Sequence, residues 1–341
     1  MPPAISLIVC TDGARVPTEL LEALARQVGL PEAGVELLLI YSGHRRVVRE
    51  ISTAAEQKLH RNWTVVNLCS PKPGKARAIN LGLERSRADI LAWTDDDITP
   101  EPEWLATLCR PLLLPHDHPE ASDITGGVVT IATHLEQYWF TERHRLRLAE
   151  TLSEKRQGFV GANLAFRRSV LKHVPCFDEE LGPGALGFQE ETLFVRQLEV
   201  ADARGCFVTD ARVVHCFDPI RLTRPSLLQS AEKTGRSTAY VTRHWEHEKP
   251  TFLWLRLLRK RLQLVWWRLR NRTGRDDESE GADDKELDLY QIAVFYKSLI
   301  NEWRRPANYS RHGLERIELI PEQAASVDSP VIRSARTPSA S

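Results

Sequence analysis

Three consecutive carboxylates at residues 95–97 are the first candidates for chemistry in the sequence. They directly follow the apolar run at residues 90–94, which is typical of a buried strand. In an extended chain Asp95 and Asp97 point to the same side, and Asp96 points to the other. Such hard oxygen ligands attract Mg²⁺ or Mn²⁺, whose charge removes their mutual repulsion. Two carboxylates do not fill a coordination sphere, so a bound diphosphate would complete it. The alternative interpretation is a solvated acidic loop.

The elements that must position these aspartates are indicated by hydrophobic patterning in the first 110 residues. Apolar runs bounded by turn residues alternate with amphipathic segments whose lengths suit βα crossovers. The runs are residues 5–10, 35–41, 64–68 and 90–94, and the segments are residues 18–28, 47–60 and 76–85. This pattern predicts an α/β fold with a parallel, doubly wound sheet. Ligands of such sheets lie beyond the carboxyl ends of the strands, so we expect residues 11–12, 41–42 and 95–97 to meet at one crevice.

The pattern is less regular from residue 111 onward. Short strands are predicted at residues 127–133 and 206–209. Helices are predicted at residues 137–155, 190–201, 223–246 and 251–305, the last broken by an acidic linker at residues 276–286. The final segment is rich in Ser, Ala and Pro and is predicted to be disordered.

Composition restricts the class of protein. The 341 residues include 46 Lys plus Arg and 46 Asp plus Glu, so no net field favours a polyanion, and we expect no nucleic-acid partner. Six widely spaced cysteines are predicted to be reduced, mostly buried thiols. No secretory signal and no uncharged apolar run long enough to cross a membrane is recognised. We therefore expect a cytoplasmic protein.

Several short motifs then occur in an order typical of one family. They are PGKARAINLGL at 73–83, ADIL at 88–91, DDD at 95–97, PEWL at 102–105, GANLAFRR at 161–168, FDEELG at 177–182, QEE at 189–191 and VVH at 213–215. In this order and spacing they resemble the family 2 glycosyltransferases, over about residues 4–240. The resemblance implies a GT-A fold, with a mostly parallel sheet and here a C-terminal helical extension. It also implies a nucleotide-diphospho-sugar donor.

The resemblance implies a donor site at the crevice. Thr11 and Asp12 match the turn that approaches the nucleoside. Lys75 matches a basic position near the donor, although a surface lysine at a helix start is the alternative. Asp95, with Asp96 beside it, is expected to bind the donor.

The resemblance also implies a metal site for Mg²⁺ or Mn²⁺. Asp97 matches the last aspartate of the family's DxD motif, which binds the metal directly, and Asp95 is expected to hold either the ribose or the metal. His215 matches a histidine that in some members reaches the metal or the diphosphate. A hydrogen-bonded histidine at a strand end is the alternative, because neutral imidazole serves either role.

Transfer with inversion needs a carboxylate that accepts the proton of the acceptor hydroxyl. Members of the family place it six residues before an arginine at the level of Arg196, which indicates Glu190. A shift of one residue to Glu191 stays open, and Gln189 stands where an acid is usual. The predicted helix starts at Glu190, so its dipole is expected to keep this carboxylate ionised. Two glutamates that only stabilise the helix start are the structural alternative.

The resemblance divides the chain into four expected parts. These are a donor-binding half at residues 1–110, an acceptor-binding half with the base at 111–246, C-terminal helices at 247–310 and a disordered tail at 320–341. Tyr41 stands at the end of the second strand, where relatives carry an aspartate for the nucleobase, and we expect it to pack. The downstream Gln-x-x-Arg-Trp signature of chain-extending enzymes is missing, which favours transfer of a single sugar to a glycan or lipid-linked acceptor.

Two other classes of function compete with this one. A module of the same fold that binds a nucleotide or glycan without turnover stays open, because a fold does not guarantee activity. Residues 182–187 match the GxGxxG pattern of nicotinamide-dependent oxidoreductases. That pattern requires a preceding buried strand in an opening βαβ unit, and the acidic residues 178–180 are not such a strand.

Residues 252–270 predict a basic amphipathic helix. On a helical wheel one face holds the following apolar residues: Trp254, Leu258, Leu262, Val265, Trp266 and Leu269. Arg256, Arg259, Lys260 and Arg270 lie largely away from it. Such a helix suits the plane of an anionic membrane surface, which predicts peripheral contact at the inner face of the membrane. A helix packed on the catalytic domain through the same face is the alternative.

Overall fold

The fold is an α/β structure built on one mixed sheet. The computed structural model describes residues 2–13, 16–41, 45–59, 62–151, 158–271 and 281–317. Within these ranges the strands are β1 (Ile5–Thr11), β2 (Val35–Tyr41), β3 (Trp63–Cys69), β4 (Ile90–Asp95), β5 (Ile98–Pro100), β6 (Ile124–Ile131), β7 (Leu164–Arg167) and β8 (Gly205–His215). The predicted tail at residues 320–341 lies outside the described residues.

The strand order is β3-β2-β1-β4-β7-β6-β8-β5. β1 to β4 are parallel where they pair, as predicted, whereas β7 is antiparallel to both β4 and β6. β8 runs parallel to β6 and antiparallel to the short edge strand β5. The result is the mostly parallel sheet of the GT-A fold.

Helices cover both faces of this sheet. They are α1 (Thr18–Ala25), α2 (Arg45–Lys58), α3 (Lys75–Arg85), α4 (Trp104–Leu113), α5 (Glu142–Arg147), α6 (Glu190–Val200), α7 (Arg224–Val241), α8 (Leu253–Arg270) and α9 (Asp284–Glu302). Successive side chains of a strand point to opposite faces, so Leu7 joins the core under α1, α2 and α4, and Ile8 joins the core under α3 and α6. Burial on both faces explains the continuous apolar runs of the central strands.

Several predicted elements differ from the structure. β5 and β7 were not predicted, because three and four residues are too short to show a hydrophobic period. Thr99 and Pro100 both belong to β5, whose position at the sheet edge tolerates proline. α4 was also missed, although its buried residues have helical spacing. The helix predicted at residues 137–155 is only α5, because Ala149 has a φ of 64° and Thr151 forms a β-bridge with Val129.

The C-terminal helices form a layer beside the sheet. α7 continues through a π-helical turn at Thr242–Glu246, which matches the helix predicted at residues 223–246. α9 begins inside the predicted acidic linker, where the Asp283 side chain accepts from the Lys285 amide at 2.8 Å. Residues 276–280 of that linker lie outside the described residues. Among the helices of the described ranges, none is long and apolar enough to cross a membrane.

The six cysteines are free thiols, as predicted, but they are not mostly buried. Cys109 is buried, Cys69 and Cys176 are exposed, and the other three are half-buried. The prediction of burial was wrong for Cys69 because it ends β3, whose side chains alternate between partly buried and exposed positions.

Candidate active site

The carboxyl ends of β1 and β4 place the aspartates at one edge of the sheet. Cys10 of β1 pairs in register with Asp95, the last residue of β4. Residues 96 and 97 form a turn into β5, so they do not continue the extended chain on which the sequence analysis relied. Asp95 and Asp97 therefore reach different partners.

Asp95 forms a half-buried ion pair with Lys75. Their side chains are only 25% and 18% exposed, and the Lys75 Nζ lies 5.0 Å from the centre of the Trp93 ring. Burial alone would lower the pKa of Lys75, but Asp95 and Glu190 raise it above its usual value. Lys75 also begins α3, with its backbone amide donating to the Pro183 carbonyl oxygen at 2.8 Å. This lysine is thus a cation fixed inside the crevice, not a surface residue.

Asp97 lies against His215. Asp97 precedes β5, and Ile98 of that strand pairs with His215, the last residue of β8. The Asp97 Oδ2 lies 3.3 Å from the His215 Nε2, and the other ring nitrogen lies 3.0 Å from the Leu148 carbonyl oxygen. Burial alone would raise the pKa of Asp97, but the hydrogen bond from His215 and nearby cations lower it to about 2.

Arg221 is a third member of this cluster, and the sequence analysis did not identify it. Its Nη1 lies 3.5 Å from the Asp97 Oδ2 and 3.4 Å from the His215 Nε2. The guanidinium also stands over the Phe217 ring. A 3₁₀ turn at Pro219–Leu222 brings Arg221 back toward the strand end, and the Asp218–Pro219 pair that starts this turn is the sequence signal for it.

Thr11 and Asp96 meet beside these pairs. The Thr11 hydroxyl accepts from the Gly13 amide at 3.1 Å and contributes a hydrogen bond to Asp96. Burial and the neighbouring carboxylates raise the pKa of Asp96 to about 6. Asp12 is exposed at the same edge and is one of those carboxylates.

Glu190 is a buried carboxyl at the start of α6. Its side chain is 4% exposed, and no described residue makes a hydrogen bond to its Oε2. Burial first, and then the adjacent Glu191, raises the pKa of Glu190 well above the usual value, while Lys75 lowers it. Burial therefore outweighs the helix dipole that was expected to favour ionisation.

The residues before Glu190 fix its position. Gln189 has a φ of 73°, and its Nε2 donates to the Thr238 hydroxyl on α7 at 2.9 Å. Gly182 packs so closely that a Cβ there would lie 2.9 Å from the Glu190 carboxyl carbon. A Cβ on Gly184 would similarly lie 2.9 Å from the Gly74 Cα. The glycine loop at residues 182–187 therefore lies between the start of α3 and the buried carboxyl.

Most residues singled out from the sequence meet at this edge, and some do not. Glu191 is half-buried beside Glu190, with a pKa raised mainly by burial. Arg196 does not face the crevice, because it forms an ion pair with Glu246 at 2.7 Å. Tyr41 packs as predicted, fully buried with its hydroxyl donating to Asn67 at 2.8 Å. Within the described ranges, no group of three or more His, Cys, Asp or Glu side chains is arranged to hold a metal.

Comparison with known proteins identifies the family of the chain. Residues 7–174 match the family described as glycosyl transferase family 2. The chain belongs to this family, and it is a glycosyltransferase. A curated relative, the glucosyl-dolichyl phosphate glucuronosyltransferase of Haloferax volcanii, is 24% identical over 225 residues, which cover 62% of this chain and 68% of that protein.

Two solved structures are similar to the glycosyltransferase described here. Staphylococcus aureus TarS 1–349 in complex with UDP is 17% identical, with a TM-score of 0.46, over 91% of this chain and 93% of that chain. The mannosyltransferase PcManGT of Pyrobaculum calidifontis, in complex with GDP-Man and Mn²⁺, is 16% identical, with a TM-score of 0.41, over 89% of this chain and 74% of that chain.

Proposed function

We propose that this glycosyltransferase moves one sugar from a nucleotide-diphospho-sugar to a hydroxyl of a lipid-linked acceptor, with inversion and with a divalent cation. The observation that carries the proposal is the meeting of three groups at one sheet edge: the Asp97–His215 pair, the Lys75–Asp95 pair and the buried Glu190 carboxyl. A donor diphosphate requires cations, and the acceptor hydroxyl requires a base. Both are present in the same crevice.

Asp97 and His215 fit a divalent cation, Mg²⁺ or Mn²⁺. A bound cation would replace the hydrogen bond from His215 to Asp97: with Nδ1 donating to the Leu148 carbonyl oxygen, the Nε2 lone pair would be available to the cation. A backbone partner on the second nitrogen is the usual way in which a ligating imidazole is oriented. The remaining positions suit diphosphate oxygens and water. When bound, the cation would neutralise the charge that develops on the leaving diphosphate.

The other donor contacts follow from the same edge. Lys75 is a fixed cation beside Asp95 and suits the donor diphosphate, whereas Thr11 and Asp12 at the end of β1 suit the nucleoside. Arg221 is held between Asp97 and the Phe217 ring, 41% exposed, and supplies a further cation to the diphosphate.

Glu190 is the proposed base. Its unpartnered Oε2 accepts the proton of the acceptor hydroxyl as that oxygen attacks the anomeric carbon, and the bond from this carbon to the diphosphate oxygen breaks. Attack from the side opposite to the leaving group inverts the configuration. Burial raises the pKa of Glu190 toward the working pH, which favours proton transfer.

The outer face of α8 supports a membrane-bound acceptor. All six apolar residues that the helical wheel placed together are more than half exposed, including Trp254 at 66% and Trp266 at 59%. The helix packs instead through Leu257 and Leu264. It carries six Lys or Arg and no acid, which suits the anionic inner face of a membrane. The relative's name, which refers to a dolichyl phosphate, agrees with a lipid-linked acceptor.

The experiment for this proposal is a thermal-shift screen with UDP, GDP and their sugars, each with and without Mn²⁺. A bound ligand raises the melting temperature by mass action, so one nucleotide is expected to stabilise the protein more with Mn²⁺. The stabilising nucleotide sugar is then tested for release of the nucleoside diphosphate. If none of the donors stabilised the protein or was cleaved, the proposed activity would be wrong.

The metal assignment is tested with Asp97→Asn. Removal of one anionic ligand from a sparse site leaves the diphosphate charge without compensation, so Mn²⁺-dependent donor binding should be lost. Asp96→Asn is the matched variant and should have a smaller effect. Calorimetry that gave Asp97→Asn the same Mn²⁺-dependent affinity as the parent protein would exclude Asp97 as a ligand.

A further inference from the structure

A cavity of about 470 Å³ lies between α7, α8 and α9, apart from the strand-end crevice. Its polar lining includes Arg236, Arg261, Tyr290 and Lys297, one or more from each helix. Leu264 of α8 contributes to its apolar lining, together with Ala293 and Val294 of α9. The cavity thus combines cations with an apolar wall.

Two cations of the cavity lining have no carboxylate partner among the described residues. The Glu232 carboxylate in the lining is satisfied by an ion pair with Arg236 and by the Tyr290 hydroxyl at 3.1 Å. The second carboxylate, Glu302, is satisfied by His244 at 3.0 Å and by Arg305 at 2.9 Å. Arg261 and Lys297 form no ion pair with any residue of the described ranges. An anion that entered would meet two cations without displacing an existing pair.

The cavity connects two features of the proposed function. Arg261 and Leu264 lie on α8, and on a helical wheel Arg261 borders the exposed apolar face that includes Trp254 and Val265. Leu186 of the glycine loop lines the cavity at its other side, four residues before Glu190. A ligand with an apolar chain and an anionic group can therefore extend from the α8 surface toward the base.

We propose that this cavity binds the phosphate group of the lipid-linked acceptor, in which a sugar carried on a prenyl-type lipid phosphate supplies the attacking hydroxyl. The inference rests on the proposed transfer to a lipid-linked acceptor, which it makes specific. Arg261 and Lys297 bind the phosphate oxygens through charge-assisted hydrogen bonds. Leu264, Ala293 and Val294 contact the first carbons of the chain, and the rest of the chain follows the outer face of α8.

The test uses the full chain and geranyl phosphate, whose short chain keeps it soluble without a membrane. Calorimetry should show binding of geranyl phosphate, with weaker binding of both geraniol and inorganic phosphate. The double variant Arg261→Gln and Lys297→Gln should weaken geranyl phosphate binding by about tenfold or more, because each charged hydrogen bond contributes at least that factor. Arg26→Gln with Arg110→Gln removes two exposed cations elsewhere and should leave binding unchanged.

Three results would overturn the proposal. One is unchanged affinity for geranyl phosphate in the Arg261 and Lys297 variant. The second is inorganic phosphate that binds as tightly as geranyl phosphate, which would indicate a site for free phosphate. The third is geraniol that binds as tightly as its phosphate, which would indicate an apolar site.

Donor binding in the same variant separates this proposal from the proposed activity. Nucleotide binding with Mn²⁺ should be unchanged when Arg261 and Lys297 are replaced. Failure of donor cleavage in the parent protein would contradict the proposed transfer and would leave the geranyl phosphate result intact. If the Arg261 and Lys297 variant lost geranyl phosphate binding but cleaved the donor normally, the cavity would be confirmed as a site for the acceptor and not for the donor.

Discussion

At the scale of single residues, the candidate site consists of charges that already have partners and one carboxyl that does not. Lys75 pairs with Asp95 and Asp97 pairs with His215, so the crevice is electrostatically balanced before a donor binds. The Glu190 Oε2 has no hydrogen-bond partner among the described residues. A buried polar atom without a partner is costly, and such groups persist mainly where function requires them.

Glu190→Gln is expected to keep donor binding and to reduce sugar transfer by about 100-fold or more, the usual scale for loss of a general base. Glu191→Gln is the matched variant and should reduce transfer less, because its side chain is half-buried next to the base. Both are measured as turnover at saturating donor. If Glu191→Gln reduced transfer more than Glu190→Gln, the base would be Glu191.

The same substitution makes a prediction about stability. Burial raises the pKa of Glu190 in the folded protein above its unfolded value, with Glu191 and Asp95 acting in the same direction and Lys75 against it. The protonated acid therefore contributes stability at low pH that is lost as the pH rises through the folded pKa. Glu190→Gln should melt at a higher temperature than the parent protein at pH 8, and the difference should shrink toward pH 4.

Melting temperatures across this pH range, with Glu191→Gln measured in parallel, check the prediction. A difference between Glu190→Gln and the parent protein that did not change with pH would contradict the raised pKa.

Sequence reasoning reached most of these residues because they sit in motifs next to strand ends. It missed Arg221, whose approach to Asp97 depends on how the 3₁₀ turn after β8 folds back. It could not foresee that Asp95 and Asp97 diverge, because that divergence requires β5 to pair with β8. The sequence gives the spacing of the aspartates along the chain. It does not show the strand pairing that directs their side chains to different partners.

At the scale of elements, the parallel half of the sheet was predictable and the antiparallel half was not. β1, β2 and β4 are buried on both faces and read as continuous apolar runs. β7 has four residues and depends on its neighbours β4 and β6 for its place. The amphipathic pattern of α8 was predictable as well. The face of α8 that packs was not predictable, because Leu257 and Leu264 are no more apolar than the residues left exposed.

The α8 surface predicts binding of the purified protein to anionic vesicles. Each Lys or Arg near the membrane surface contributes about 1 kcal/mol, so several of them, together with the exposed tryptophans of α8 inserting into the lipid, give reversible attachment that salt weakens. Arg256→Glu, Arg259→Glu and Lys260→Glu together should release the protein from vesicles in a cosedimentation assay and leave transfer to a soluble acceptor analogue intact.

The matched control for α8 is Arg26→Glu, Arg85→Glu and Arg110→Glu, which changes the net charge equally at exposed positions elsewhere. This variant should still bind vesicles. Its affinity for them should fall only by the amount that its lower net charge explains. A parent protein that stayed in the supernatant at low salt would show that the outer face of α8 does not bind anionic lipid.

At the scale of the whole molecule, a buried carboxylate is one of the groups that join the C-terminal layer to the catalytic half. The Asp178 side chain accepts from the Tyr240 hydroxyl at 2.6 Å, the Tyr309 hydroxyl at 2.7 Å and Arg316 at 3.1 Å. Asp178 lies just before the glycine loop, so this cluster joins α7 and the segment after α9 to the loop that contacts Glu190.

Asp178→Asn is expected to destabilise the protein by about 3 kcal/mol, because it removes one of the two counter-ions of Arg316, the other being Glu180, and leaves buried hydroxyl donors with a weaker acceptor. The free energy of unfolding in urea measures this change. Asp117→Asn removes an exposed carboxylate and should change stability by less than about 0.5 kcal/mol. Equal effects of the two substitutions would show that the cluster does not hold the layers together.

The composition of α8 affects how charge is distributed over the whole protein. The formal net charge is zero, yet α8 holds six of the 46 cations and no acid, so the rest of the chain has six more acids than bases. Charge is therefore unevenly distributed, and α8 is a positive patch on a molecule without net charge. A negatively charged surface attracts this patch and turns the protein to present α8, although it attracts the molecule as a whole only weakly. It should accordingly be retained on a cation exchanger at a pH where its overall charge predicts that it flows through.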